Sequence, residues 1–259
     1  GIEVHEDIHN YRNETEAVAA ATALTRNGHK LFWPYPLPAE LYPQASHLVA
    51  PELYRRLNAK QHLSDLVPAE HLAWQQCLSH AQLASVTAQQ PLCLKAGGNA
   101  ATGWGYAVFP CRNADELDFA RQWFAEHQAS VPLVLAEQWL GIDCSWCVGL
   151  AISETGTRSF GGAEQLFSSP CKQSGSLIDP ARAMPEEVEK LAVQIGESAG
   201  AQGFRGIAGL DIGLAQNGQI VVFDPNFRIA SSTAQLLFHQ SASSRAGLPA
   251  SQSIQLTPA

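Results

Sequence analysis

The sequence is short of positive charge. Its 16 Lys and Arg face 24 Asp and Glu, leaving a net charge of −8 over 259 residues, and the basic residues form no run. That balance excludes nucleic acid or an anionic membrane surface as the main partner. No apolar stretch approaches the roughly 20 residues of a membrane span. The opening segment from Gly1 to Asp7 has neither the positive charge nor the apolar core of a secretion signal, so a cytoplasmic location is expected. There is no Gly-x-x-x-x-Gly-Lys-Ser/Thr phosphate loop, no assignable Ser-His-Asp or Cys-His constellation, and no internal repeat. Six cysteines are scattered at 77, 93, 111, 144, 147 and 171. The close pair, Cys144 and Cys147, lies in an apolar segment that reads as a strand. Residues three apart on a strand point to opposite faces, which excludes a shared metal ion and leaves reduced thiols as the expectation.

What is present is a hydrophobic content of 46%, ample for one large domain or two small ones. The most informative stretch runs from Gly209 to Arg228. An apolar strand carries Asp211, and a second ends in Asp224 and Asn226, two residues apart and therefore on one face. Between them Gln216-Asn217-Gly218-Gln219 reads as a tight hairpin, with Asn-Gly supplying positive φ angles. Such a hairpin brings two carboxylates and an amide oxygen together. An all-oxygen set of this kind suits Mg²⁺ rather than Zn²⁺. Continued extension places the Arg228 guanidinium on the same face, as a fixed cation for a nucleoside triphosphate.

The remaining pattern is mixed. Helices are predicted over 14–26, 51–57, 60–66, 70–87, 115–127, 185–200 and 233–239. Strands are predicted over 31–33, 92–95, 104–109, 132–138, 145–152 and 158–167, besides the acidic hairpin. Prolines at 34, 36, 38 and 43 make a stiff connector, 168–179 reads as a polar loop, and the Ser/Ala/Pro-rich tail from 241 as mobile. Strands and helices segregate rather than alternate, which predicts an α+β fold.

Further candidates face phosphate and base. The small-residue loop 96–103 carries Gly97, Gly98 and Gly103, whose backbone can approach a ligand closely, and Thr102, which adds a hydroxyl. Lys95 ends an apolar strand just before it and offers a point charge to the same phosphates, and Lys60 is a second such cation. The strand exit Glu137-Gln138-Trp139-Leu140 offers backbone and apolar walls to a base, with Asp143 at a distance suited to ribose. In the segment 160–175, Gln165 and Lys172 are candidates to border an acceptor pocket.

In this order, these pieces resemble the ATP-grasp family of carboxylate–amine ligases over about residues 50–240. The resemblance implies two α+β subdomains whose antiparallel sheets clasp ATP. The expected layout is a reduced α/β segment over 1–45, the ATP-grasp domain over 46–240 with its small lid at about 91–140, and a tail over 241–259. It implies that Lys60 and Lys95 contact the α- and β-phosphates and that the 97–103 loop covers the β- and γ-phosphates. Gln138 and Leu140 present backbone to adenine beside Trp139, with the Glu137 side chain near the adenine amino group, and Asp143 holds the ribose. Asp211, Asp224 and Asn226 bind two Mg²⁺ ions, for which Mn²⁺ is a substitute, and Arg228 steadies the transferred phosphoryl group. The implied reaction joins a small carboxylate, such as an amino acid or short peptide, to an amine through an acyl-phosphate, and oligomers are compatible with it. The chain departs from the pattern at Asp224, where the family's usual residue is Glu, at Ala59, and in its short N-terminal segment. An ATP-dependent phosphotransferase and a nucleotide-binding module without turnover share the same features.

Overall fold

A computed structural model describes residues 11–33, 42, 44–87, 89–98 and 107–254. Helix α1 (Glu14–Arg26) starts where the Asn13 side chain accepts the Glu16 N–H. After it come α2 (Pro51–Leu57) and a 3₁₀ turn over Lys60–Asp65. Then follow β1 (Gln75–Leu78), α3 (His80–Leu83), β2 (Leu92–Ala96), β3 (Val108–Cys111), α4 (Ala114–Glu126) and β4 (Val134–Gln138). The second half holds β5 (Ile142–Ser153), β6 (Gly156–Ser169), β7 (Lys172–Ile178), α5 (Glu186–Ala201), β8 (Gly206–Ala215), β9 (Ile220–Asn226), α6 (Thr233–Ala246) and β10 (Ser251–Ile254).

Two antiparallel sheets result. The smaller has strand order β1-β4-β2-β3 and the larger β10-β7-β6-β5-β8-β9. Each carries its own core. Leu94, Leu117, Ala120, Phe124 and Val134 join α4 to the small sheet. On the large sheet Val148, Leu150, Leu210 and Ile212 meet Val188, Leu191, Ala192, Ile195 and Ala199 of α5. Those α5 positions recur at the three- and four-residue spacing of an amphipathic helix, which is why this segment buries one stripe.

Four expectations from the sequence are corrected. The segment 70–87 is not a single helix. Its apolar spacing satisfies a helical period, but Gln75–Leu78 pairs with β4 from Gln75↔Glu137 to Leu78↔Val134, so the small sheet begins well before residue 91. The expected polar loop at 168–179 contains β7, whose partners β6 and β10 supply its backbone hydrogen bonds. The tail from 241, expected to be mobile, continues α6 and then forms β10 on the edge of the large sheet. Residues 60–66 form a 3₁₀ turn rather than an α-helix. The expected strand at 104–109 falls partly outside the described residues, and its described part begins β3.

Candidate active site

The acidic hairpin forms as the alternation requires. On β8 the side chains of Ala208, Leu210 and Ile212 are buried against α5, so Asp211 points from the opposite face. Asp211 stands directly across from Asp224, and Gly209 across from Asn226. The register then shifts, with Ile212 opposite Val222, which leaves Phe223 as a bulged extra residue and keeps both β9 side chains on the Asp211 face. The connecting turn differs from the expected one in detail. Gly218 has φ +84°, whereas Asn217 does not take a positive angle. The Gly218 N–H donates to the Ala215 carbonyl at 2.8 Å and the Ala215 N–H to the Gln219 carbonyl at 2.9 Å, a three-residue loop closed by a glycine bulge.

The carboxylates repel each other in partial burial. Asp211 is pushed up to about 7 by burial first and by the Asp224 charge second, while the Cys147 thiol, Lys60 and Gln165 pull it down. Two close carboxylates and the buried Asn226 amide form a hard oxygen set that a divalent cation would relieve, so these residues fit Mg²⁺. Among the described residues no group of three His, Cys, Asp or Glu side chains stands ready for an ion, so the amide oxygen is needed to complete the set. Lys60, the first residue of its 3₁₀ turn, makes an ion pair with Asp224.

The small sheet faces this hairpin through Lys95. Its Nζ lies 2.6 Å from Glu137 Oε1 and donates to the Phe223 carbonyl at 2.8 Å, tying β2 to the bulge in β9. Burial pushes the Lys95 ammonium down, but Glu137 and Asp224 outweigh it and its pKa is raised, so the charge is kept. Glu137 is thus committed to Lys95, a partner that the sequence reading did not assign to it. The Gly97 N–H donates to the Leu133 carbonyl and the Gly98 N–H to Gln61 Oε1, both at 2.8 Å. Thr102 and Gly103 lie outside the described residues.

At the exit of β4, the Gln138 N–H donates to the Trp74 carbonyl at 2.9 Å and the Trp139 N–H to the Pro91 carbonyl at 3.1 Å. Among the described residues the Leu140 N–H has no such partner. For Gln138 the backbone donor is thus spent on Trp74, which leaves its carbonyl as the backbone group that could face a base. Asp143 is exposed and sits in a bulge of the β5–β8 ladder between Ile142 and Cys144. The extension expected through Arg228 stops at Asn226. Phe227 turns into the core, and Arg228 lies half-buried, where its charge is felt by Tyr54.

Four neighbours had weaker signals. Gln61 was unmarked because its role is to hold a loop 37 positions away. Ser145, Cys147 and Gln165 share the Asp211 face across three adjacent strands, which only the register reveals. Cys144 packs on the core side and Cys147 faces Asp211, so the Cys-x-x-Cys pair is split as expected. Lys172, the other acceptor candidate, is exposed at the start of β7.

A family model described as "L-aspartate–L-methionine ligase, ATP grasp" matches residues 74–226, more than half of the chain. The chain belongs to this family. A second model, "L-aspartate–L-methionine ligase N-terminal domain", matches residues 1–55 of the same ATP-grasp chain. Solved structures share the fold. The L-amino acid ligase from Bacillus licheniformis has a TM-score of 0.63 at 14% identity, over 92% of this chain and 58% of that one. The N5-carboxyaminoimidazole synthetase from Staphylococcus aureus, complexed with ADP, has a TM-score of 0.62 at 14% identity, over 86% and 59%. Pyruvate carboxylase from Rhizobium etli has a TM-score of 0.66 at 17% identity, over 93% and 23%. The ATP-grasp chain spans about half the length of the carboxyaminoimidazole ribonucleotide synthases it matches, 54% of one and 48% of another. No helix among its described residues is long and apolar enough to cross a membrane.

Proposed function

We propose that this chain is an ATP-dependent carboxylate–amine ligase that joins two amino acids, with L-aspartate and L-methionine as the first pair to test. The observation that carries this reading is the facing of Asp211, Asp224 and Asn226 by Lys60 from its 3₁₀ turn and by Lys95 from the small sheet. Lys60 and Lys95 bind the phosphates as fixed cations, and the Gly97–Gly98 backbone lies beside them. Leu140 offers its N–H to adenine, Trp139 an apolar wall and Asp143 a ribose acceptor. Asp211, Asp224 and Asn226 would hold Mg²⁺, with Mn²⁺ as a substitute, and the ion would supply positive charge against that of the triphosphate. Arg228 offsets charge on the transferred group. The substrate carboxylate attacks the γ-phosphorus, ADP leaves, and the amine displaces phosphate from the acyl-phosphate to form the amide. The six free cysteines fit a reducing compartment, the cytoplasm.

The test is ADP release with L-aspartate and L-methionine, with the product weighed by mass spectrometry. Dipeptide formation by the wild type, lost in Asp224→Ala with a native circular dichroism spectrum, is expected. Wild-type turnover in Asp224→Ala overturns the metal assignment. ADP release that does not depend on the amine points instead to phosphoryl transfer alone.

A further inference from the structure

The two lysines that the ligase reading points at phosphate both meet protein oxygens. Lys95 is held by Glu137 and by the Phe223 carbonyl. The Lys60 ammonium donates to Asp224 Oδ1, in an ion pair whose side chains are 13% and 26% exposed. The Lys60 pair stands apart, because its acceptor is itself one of the proposed metal ligands. The backbone under Lys60 is fixed. The Asn58 side chain donates to the Tyr54 carbonyl at 2.9 Å and to the Phe227 carbonyl at 3.3 Å, and Leu63 of the same 3₁₀ turn is buried in the large core. The neighbouring Gln61 side chain accepts the Gly98 N–H at 2.8 Å, at the edge of the glycine-rich loop. Lys60 thus stands between the acidic hairpin and that loop. A lysine carries its charge as a point on a flexible four-carbon stem, so the ammonium can change partner by rotation alone, with no shift of the turn.

Asp211 stands opposite Asp224, so two carboxylates face this one ammonium. Asp224 cannot serve Lys60 and a divalent cation together, since that would set two positive charges side by side on one carboxylate. Nor can the ammonium serve Asp224 and a phosphate at full strength. We infer that Lys60 is an internal stand-in for the metal: it answers the Asp224 charge while the ion is absent, and is released to the nucleotide phosphates when Asp224 takes the ion. Lys60 thereby couples the two ligands, because each is bound more tightly once the other is in place. Couplings between two ligands typically amount to about 5–150-fold in affinity. The inference rests on the reading of Asp224 as a metal ligand, and the experiment separates the two.

Mn²⁺ binding to the nucleotide-free protein is followed by electron paramagnetic resonance, and ADP binding by calorimetry, once in chelator and once in saturating Mg²⁺. The variants are Lys60→Met and Asp224→Asn. Without nucleotide, Lys60→Met should bind Mn²⁺ at least about fivefold more tightly than the wild type, because a competitor has gone. Its ADP affinity should fall at least about fivefold in Mg²⁺ and much less in chelator, where Asp224 already holds the wild-type ammonium. In chelator, Asp224→Asn should bind ADP more tightly than the wild type, since its Lys60 is released. A lysine that serves phosphate alone loses the same factor of ADP affinity in both media and leaves Mn²⁺ affinity unmoved; either result overturns the inference. If Lys60→Met does not fold, Asp224→Asn in chelator decides, and ADP binding no tighter than wild type overturns it. Asp224→Asn also tests the reading beneath. Weakened Mn²⁺ binding there keeps the metal reading whatever Lys60→Met shows, and wild-type Mn²⁺ affinity overturns that reading and this inference with it.

Discussion

Lys95 is the residue on which the two sheets meet. Its ammonium is buried, paired with Glu137 on its own sheet and bonded to the Phe223 carbonyl on the other. Removing one member of a buried pair leaves a charge with nothing to answer it, at a cost of about 3–5 kcal/mol. Lys95→Met is therefore expected to lower unfolding free energy by that amount in urea titrations, and Lys95→Met combined with Glu137→Gln to recover most of it. Nucleotide affinity, measured by calorimetry, should fall in both variants; recovery of affinity in the double variant would reduce Lys95 to a structural role. The importance of Lys95 is legible in the sequence, because a lysine at the end of an apolar strand before a glycine-rich loop has few other uses. Its partner is not. That Glu137 meets Lys95 depends on the antiparallel register of β2 and β4, a relation between segments about 40 positions apart that no local pattern encodes.

At the scale of elements, local signals served where a segment's own periodicity decides its structure. The helices over 14–26, 115–127 and 185–200 match α1, α4 and α5 within a residue or two at each end, and the hairpin of β8 and β9 stands where the apolar alternation and Asn-Gly place it. They failed where a partner decides. The sequence of β7, Lys-Gln-Ser-Gly-Ser-Leu-Ile, is polar and has no strand propensity of its own to speak of. It is a strand because β6 and β10 flank it, and because Ser176 finds Gln235 and Ser253. Gly175 is the point of closest approach, since a side-chain carbon there would run into the Ser253 carbonyl of β10. Gly175→Ala should therefore detach β10 while the rest of the sheet stays folded. Limited proteolysis is expected to cut around 247–254 much faster in this variant; unchanged digestion would mean that β10 shifts and stays paired.

For the whole molecule, the acidic site links stability to pH. The Asp211 carboxyl is raised from its ordinary 3.8 to about 7. The native state therefore holds a proton that the unfolded chain has released throughout that interval. Stability from this group is complete below the unfolded value, falls as pH rises through the interval, and levels off above the native value. In protein kept metal-free with a chelator, the melting temperature of Asp211→Asn should exceed that of the wild type by a margin that widens from pH 5 to pH 8. Magnesium and nucleotide should narrow it. A constant margin would show that Asp211 titrates normally.

The short connector between the sheets has a mechanical consequence. Strand β4 is an inner strand of one sheet and β5 an inner strand of the other, and only Trp139, Leu140 and Gly141 separate them. The connector is pinned by the Trp139 N–H on Pro91 and by the Gly141 carbonyl on the Gln216 N–H. Any swing of the smaller layer must pivot on this connector and on the entry at 72–74 beside it, where the Gln138 N–H holds the Trp74 carbonyl, and the connector passes it as torsion into the strand that bears Ser145 and Cys147. A base seated at Leu140, as proposed, would therefore press on the strand whose Cys147 stands directly across from Asp211, and one continuous piece of backbone would sense both ends of a nucleotide.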